Sequence, residues 1–373
     1  MSDCVRETVG VSSRTLLGLM ALGACVLYSA PGWAFNDIIN GEDATIDDYP
    51  MTGGMLAGSV IEAGGAEYDI KMMMCSSTLI APDVVLLAAH CIDFAALEEQ
   101  YGVQLDGVDI VFSRQADLTA FDGSPTEWPY DAAFAWEAVM HPGFNLQTLG
   151  GGLSENDDIG LLFLEEPILD VPHAFLPTPS EVGQIQEGNL VDVVGWGQQT
   201  SDQIPPAGSV QLKMQGQSYI AELAAYELQI GLDREDVRKC HGDSGGPSFM
   251  RVSGDWADPM RLIGVTSHAY DQTDCNETGG VDTRVDYYLD WIDDEMRARC
   301  EDGSRSWCDI PGIITPSASA ALEDTEVSIE DVKITGCACS QGNPQTGLPW
   351  IVSLLALVAI RREPSESSRG PQA

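Results

Sequence analysis

The chain has 373 residues, with 58 acidic against 18 basic side chains and a formal net charge of −40. So few cations exclude nucleic acid and anionic lipid surfaces as partners of the globular part, because neutralising phosphates takes Lys and Arg. An apolar share of 44% is ordinary for a globular protein and enough for a buried core, so the acidity reads as solubility.

The first predicted element is an export signal. Arg6 and Arg14 precede the apolar run "TLLGLMALGACVLYSA", and the small residues Gly32 and Ala34 fit cleavage after Ala34. Residues 1–34 then form a signal peptide and 35–37 a short propeptide. "LGAC" within the run also resembles a lipoprotein signal with Cys25 as acceptor; the apolar run continues past Cys25, which favours the ordinary cleavage. Either route takes the protein out of the cytosol, where disulfides persist.

From Ile38 to Val285, short β-type runs such as "DVVLLAAH", "DIGLLFL", "NLVDVVGW" and "RLIGVTS" are broken by Gly, Pro, Asn and Asp. Strands at this spacing predict a sandwich or barrel. The period then changes. Val285, Tyr288, Leu289, Ile292 and Met296 share one face of an amphipathic helix, predicted to pack on the outside of the β domain. Residues 301–346 read as a Cys-containing stalk, rich in small and acidic residues from Pro311 onward. Residues 347–373 hold the apolar run Leu348–Ile360, then Arg361 and Arg362. As a helix that run spans ~20 Å, short of the ~30 Å hydrocarbon core, and it reads as a membrane-associated sorting segment with a cytoplasmic C-terminus.

Of the ten cysteines, Cys4 and Cys25 leave with the signal, and eight remain. They group as Cys75 and Cys91, Cys240 and Cys275, Cys300 and Cys308, Cys337 and Cys339. None has zinc-finger spacing, so no metal and no other cofactor is expected.

Three stretches carry chemistry. "LLAAHC" puts His90 at a strand end, "NDDIGLLFL" puts Asp158 at the start of a buried strand, and "CHGDSGGP" puts Ser244 in a glycine-rich turn. A serine at its free pKa is a poor nucleophile; it needs a base within reach, and the base needs an acceptor that fixes its tautomer. Glycines around Ser244 let the N–H groups of Gly242 and Ser244 converge as an oxyanion hole. "GDSGG" also fits the GxSxG of lipases literally, but no βαβ rhythm surrounds it.

With "IING" at 38–41, "TLIAPDVVLLAAHC" at 78–91, "HPGFN" at 141–145, "GWG" at 195–197, "GVTSHA" at 264–269, "TRV" at 283–285 and the helix "YYLDWI", residues 38–298 resemble the trypsin and chymotrypsin family of serine proteases. The resemblance implies an all-β domain over residues 38–300: two six-stranded antiparallel β-barrels and a C-terminal helix, with the site in the cleft between the barrels. It implies His90 as general base, Asp158 as its orienting acid, Ser244 as nucleophile and Ser267 as the buttress of Asp158. It implies a pair between Asp243 and a free α-amine on Ile38, disulfides Cys75–Cys91 and Cys240–Cys275, and protein or peptide substrates. Cys300–Cys308 would close a small loop outside the family core.

By the same resemblance Arg238, Lys239, His241, Ser267, His268, Ala269 and Gly280 bound the specificity pocket. His268 stands where the family has tryptophan and Ala269 where it has glycine. Residues 115–136 look longer than usual and are expected to overhang the cleft. Arg238 at the pocket base predicts cleavage after Asp or Glu, because a guanidinium fork matches a carboxylate. Asp37, just before Ile38, fits self-activation by such an enzyme. The rival orientation turns Arg238 toward Asp236 or Glu235. A rival function is a surface-anchored binding protein on an inactive protease scaffold; an intact triad and glycine loop speak against it. The tail resembles the bacterial MYXO-CTERM sorting signal, which would place lipid on Cys337 or Cys339.

Overall fold

The computed structural model describes residues 38–305 and 308, apart from 64–65, 102–104, 124–126, 200–210, 253–257 and 272–277. The signal peptide, the propeptide, most of the stalk, the sorting tail, Cys275, Cys337 and Cys339 lie outside the described residues.

A two-residue strand β1 (Glu42–Asp43) precedes β2 (Thr52–Ala63), β3 (Ala66–Ala81), β4 (Val84–Leu87), β5 (Leu105–Ser113), β6 (Ala133–Met140) and β7 (Gly160–Leu164). Strands β2 to β7 close into an antiparallel barrel in the order β2-β3-β4-β7-β6-β5. Helix α1 (Phe94–Tyr101) lies between β4 and β5 in the chain. The second barrel is built from β8 (Leu190–Gly195), β9 (Met214–Leu223), β10 (Glu227–Ile230), β11 (Pro247–Met250), β12 (Arg261–Ala269) and β13 (Gly280–Arg284). Its order is β9-β10-β13-β12-β11-β8, β8 pairs back onto β9, and β1 adds to the edge of β9. The two six-stranded barrels expected from the resemblance are therefore present.

β4 and β7 read as continuous apolar runs because both of their faces are covered. Val84, Val85, Leu86, Leu87, Leu161, Leu162 and Phe163 are all fully buried. Each such side chain contributes about 1.5–3 kcal/mol relative to exposure. The predicted helix is α2 (Leu289–Glu301), entered through a 3₁₀ turn at Val285–Tyr287. Its five predicted face residues are all buried, and they join a core shared with β4, β7 and β12. Arg299 fixes the helix on the first barrel, with its guanidinium on Glu137 at 2.8 Å and over the Phe163 ring at 4.4 Å.

One expectation is corrected. No described residue of 115–136 lines the cleft. Leu118 and Phe121 pack instead with Leu56, Met73, Val111 and Trp196, and Trp128 stands edge-on to Phe134. Those apolar side chains gain more by burial on the barrel wall than by exposure over an open cleft.

Candidate active site

β4 and β7 run antiparallel with Leu87 opposite Gly160. His90 lies just past that pair and Asp158 just before it, so strand pairing delivers both to one barrel edge. His90 Nδ1–H donates to Asp158 Oδ2 at 2.7 Å, and its backbone N–H donates to Oδ1 at 2.8 Å. Ser267, near the end of β12, donates its hydroxyl to the same Oδ2 at 2.6 Å. Thr283 Oγ1 holds the Asp158 carbonyl at 2.9 Å. A carboxylate only accepts, so the His90 proton sits on Nδ1 and Nε2 is bare.

Asp158 is fully buried. Burial alone would raise its pKa, but the His90 charge and the hydrogen bonds from His90 and Ser267 outweigh it and hold the carboxyl below its ordinary value. Burial likewise opposes the His90 imidazolium; the charge and hydrogen bond of Asp158 outweigh it, and His90 sits above its ordinary value. The disulfide Cys75–Cys91 ties the 3₁₀ turn Ala89–Ile92 to β3. Those sulfurs crowd His90 but are bonded to each other, so they are not thiolate ligands for a metal.

Ser244 stands in the loop ahead of β11. Gly242 has φ +93° and Gly245 φ +77°, left-handed values that side chains avoid. A Cβ on Gly245 would lie 2.3 Å from the Ser76 carbonyl. The N–H groups of Asp243, Gly245 and Gly246 are spent on the carbonyls of Cys240, Thr266 and Asp243. Those of Gly242 and Ser244 have no acceptor among the described residues, which leaves two donors for an incoming oxygen. Ser76 of β3 grips this loop: its N–H donates to the Ser244 carbonyl at 2.8 Å and its hydroxyl to the Gly242 carbonyl at 3.0 Å. The same hydroxyl accepts the Trp196 N–H at 3.0 Å. His90 and Ser244 line one cleft of about 460 Å³. No hydrogen bond joins them among the described residues; such contacts tighten when substrate binds.

Of the expected pocket residues, Lys239, His241, Ser267, His268 and Ala269 line this cleft. Gly280 is buried behind it, where an added Cβ would meet Lys239 Cβ at 3.5 Å. Arg238 does not line it, which corrects its expected place at the pocket base. Its side chain is 1% exposed; Nε donates to the Asp236 carbonyl at 3.3 Å and Nη2 to the Arg234 carbonyl at 3.0 Å. A buried guanidinium must satisfy its donors, and the backbone of 234–236 supplies acceptors at hand. This is close to the rival orientation, reached through carbonyls. The Asp236 carboxylate instead accepts from the Leu232 and Asp233 N–H groups and from Tyr219 Oη.

The neighbouring cation was expected on the pocket wall, but its partner was not legible in the sequence. Lys239 Nζ donates to Asp282 Oδ2 at 2.7 Å and Oδ1 at 3.0 Å, and to Ser248 Oγ at 2.8 Å. His268 Nε2–H donates to the Gly152 carbonyl at 3.1 Å, and its Nδ1 lies 3.0 Å from Ser267 Oγ. Burial holds its pKa below the ordinary value, partly offset by that carbonyl. The Gly152 N–H donates to the Tyr270 carbonyl at 2.7 Å. Buried Glu227, a second unforeseen group, accepts the Ser154 N–H, and burial pushes its pKa up to about 7. Together these contacts fasten the 150–154 segment to the end of β12 and to the start of β10. The available signals were an acid inside each of the apolar runs "YELQI" and "GVDTR".

Ile38 is fully buried with Val193 and Met214, and Ile39 bridges to Arg238. Ile38 holds φ +43°, a costly conformation for a β-branched residue. Asp243, also fully buried, accepts the Gly197 N–H at 2.8 Å and the Cys240 N–H at 2.9 Å; burial pushes its pKa to about 6. Cys300–Cys308 is formed, and Cys240 is disulfide-bonded.

Comparison with known proteins agrees with this geometry. Residues 38–292 match the family model described as Trypsin. Tryptase of Mus musculus is 28% identical over 301 residues, which cover 75% of this chain and 96% of its own. Melanization protease 1 of Drosophila melanogaster is 27% identical over 298 residues, 74% of this chain and 70% of its own. CLIP domain-containing serine protease B4 of Anopheles gambiae is 25% identical over 277 residues, 69% of this chain and 70% of its own. With well over half of its length matched by the family model, the chain belongs to the trypsin family.

Proposed function

We propose that the protein is an exported serine endopeptidase that hydrolyses protein or peptide substrates through an acyl-enzyme. One observation carries this reading: the bonded line Ser267–Asp158–His90 reaches the same cleft as Ser244 and the unspent N–H groups of Gly242 and Ser244. Bare Nε2 of His90 takes the Ser244 proton as Oγ attacks the scissile carbonyl. The oxyanion that develops accepts from the Gly242 and Ser244 N–H groups, donors fixed before the reaction begins. His90 returns the proton to the leaving amine; water then repeats the sequence on the ester.

Activation on this reading is a cut before Ile38, whose freed α-amine pairs with Asp243. A buried carboxyl with a raised pKa gains most from such a cation. Export rests on the N-terminal signal and retention on the tail; among the described residues no helix is long and apolar enough to cross a membrane. The preference for Asp or Glu rested on Arg238 at the pocket base, with Asp37 before Ile38 as a separate feature in its favour and as the site of self-removal. Arg238 and Lys239 are both engaged in the interior, so this preference is not retained. A phosphonofluoridate probe tests the enzyme against the inactive-scaffold alternative. After processing to Ile38 is verified, labelling of wild type and not of Ser244→Ala is expected; an unlabelled wild type overturns the reading.

A further inference from the structure

We infer that the Lys239–Asp282–Ser248 cluster closes the base of the primary pocket and makes the enzyme select uncharged side chains before the scissile bond. The inference deepens the peptidase reading and rests on it. Lys239 is 1% exposed and Asp282 fully buried. The ammonium is held by three acceptor oxygens, both of the Asp282 carboxylate and the Ser248 hydroxyl. Its charge is already paired before a substrate carboxylate arrives.

The surroundings are shaped around this pair. Asp282 on β13 lies close to Gly264 on β12, where a Cβ would meet Oδ2 at 2.5 Å, so a side chain there would displace the carboxylate. Ser248 reaches the same ammonium from β11. Three strands of the second barrel thus converge on one neutral unit, just behind the wall formed by Lys239, Cys240 and His241. A Cβ on Gly280 would make only ordinary contacts, with Lys239 Cβ at 3.5 Å and the His268 and Lys239 carbonyls at 3.8 Å. The strand behind the wall therefore already packs against the aliphatic stem of Lys239.

Charged side chains fare badly here for opposite reasons. A substrate carboxylate meets an ammonium already neutralised, with the Asp282 charge behind it. A substrate cation finds the Asp282 carboxylate already occupied by Lys239. Arg238 offers an acid no rescue without leaving the Arg234 and Asp236 carbonyls. In either case a buried pair must be broken, and the partner left alone carries the desolvation cost.

The test is kcat/KM on matched peptides with Ala, Val, Leu, Asp, Glu, Lys or Arg before the scissile bond, using processed enzyme titrated with the phosphonofluoridate. Expected is a preference of at least ~30-fold for the best uncharged residue over each charged one, the range a pocket of this kind supplies. A charged residue within threefold of the best uncharged one overturns the inference. Two variants carry opposite signs. Asp282→Asn frees the ammonium and should improve Asp and Glu relative to Leu by at least ~10-fold; Lys239→Ala exposes the carboxylate and should improve Lys and Arg by a similar factor. Either variant, titrating as active yet unchanged in preference, also overturns it. If neither folds, the wild-type series decides. A wild type that fails to label removes the peptidase reading itself, whereas labelling with a charged preference removes only this inference.

Discussion

Asp158→Asn keeps the shape of the side chain and removes one charge. In the wild type both carboxylate oxygens face donors: the His90 N–H on Oδ1, and His90 Nδ1–H with the Ser267 hydroxyl on Oδ2. An amide has one accepting oxygen. The backbone N–H of His90 cannot exchange its role, so the oxygen stays on that side and the NH₂ faces His90 Nδ1. That nitrogen must then accept, which moves the imidazole proton to Nε2, where it faces Ser244. A base with its lone pair on the wrong side cannot take a proton. The expected loss is about 10⁴ in kcat, or ~5 kcal/mol of transition-state stabilisation. The pH dependence should move as well. Burial opposes the His90 charge, and only Asp158 lifts its pKa above the ordinary ~6.5. Activity needs the neutral base, so the wild-type acid limb of kcat/KM lies above that value and the variant's limb moves to lower pH. The assay is kcat/KM from pH 4.5 to 9 on protein shown to be folded by circular dichroism. A loss smaller than tenfold, or an acid limb that stays in place, would refute the tautomer argument.

Glu227→Gln is a stability test. The folded carboxyl titrates at about 7 against an ordinary 4.5, so its contribution is fully present below pH 4.5 and lost as pH rises through 7. The glutamine variant keeps an acceptor for Ser154, should lose that slope, and should exceed wild type at pH 8 by up to about 3 kcal/mol in urea unfolding; a slope equal to wild type sinks the assignment. Removing residues 336–373 should release soluble, active enzyme into the medium; if the truncated and full-length chains partition alike on fractionation, the tail has no anchoring role.

The parts legible in the sequence were local. "LLAAHC", "NDDIGLLFL" and "CHGDSGGP" each place one reactive side chain at the end or start of a strand, and backbone geometry does the rest. The helix face from Val285 to Met296 was legible because its period differs from that of the strands. What escaped was partnership across the barrel. Lys239 and Asp282 are on separate stretches, and nothing local tells a lysine which carboxylate it will meet. Arg238 misled for a related reason. Its charge is a property of the residue, but the direction of its side chain is set by carbonyls of the folded 234–236 segment. Residues 115–136 were judged by length, whereas Leu118 and Phe121 had an apolar wall to cover.

Ser76 belongs to the first barrel, and the loop it holds belongs to the second. Its three bonds, at about 0.5–1.5 kcal/mol each, sum to a few kcal/mol, less than the 5–15 kcal/mol that holds a typical domain together. Small shear between the halves would break these three bonds and shift the Ser244 loop against His90, while its bonds to Thr266 and Gly197 keep it on the second barrel. On heating, hydrolysis should fade before the β-sheet signal does, which makes turnover a gauge of alignment between the halves. Modularity has the same limit: a hybrid that takes its two halves from different relatives must bring a matching hydroxyl at this junction, or its loop will lose its register against the first barrel.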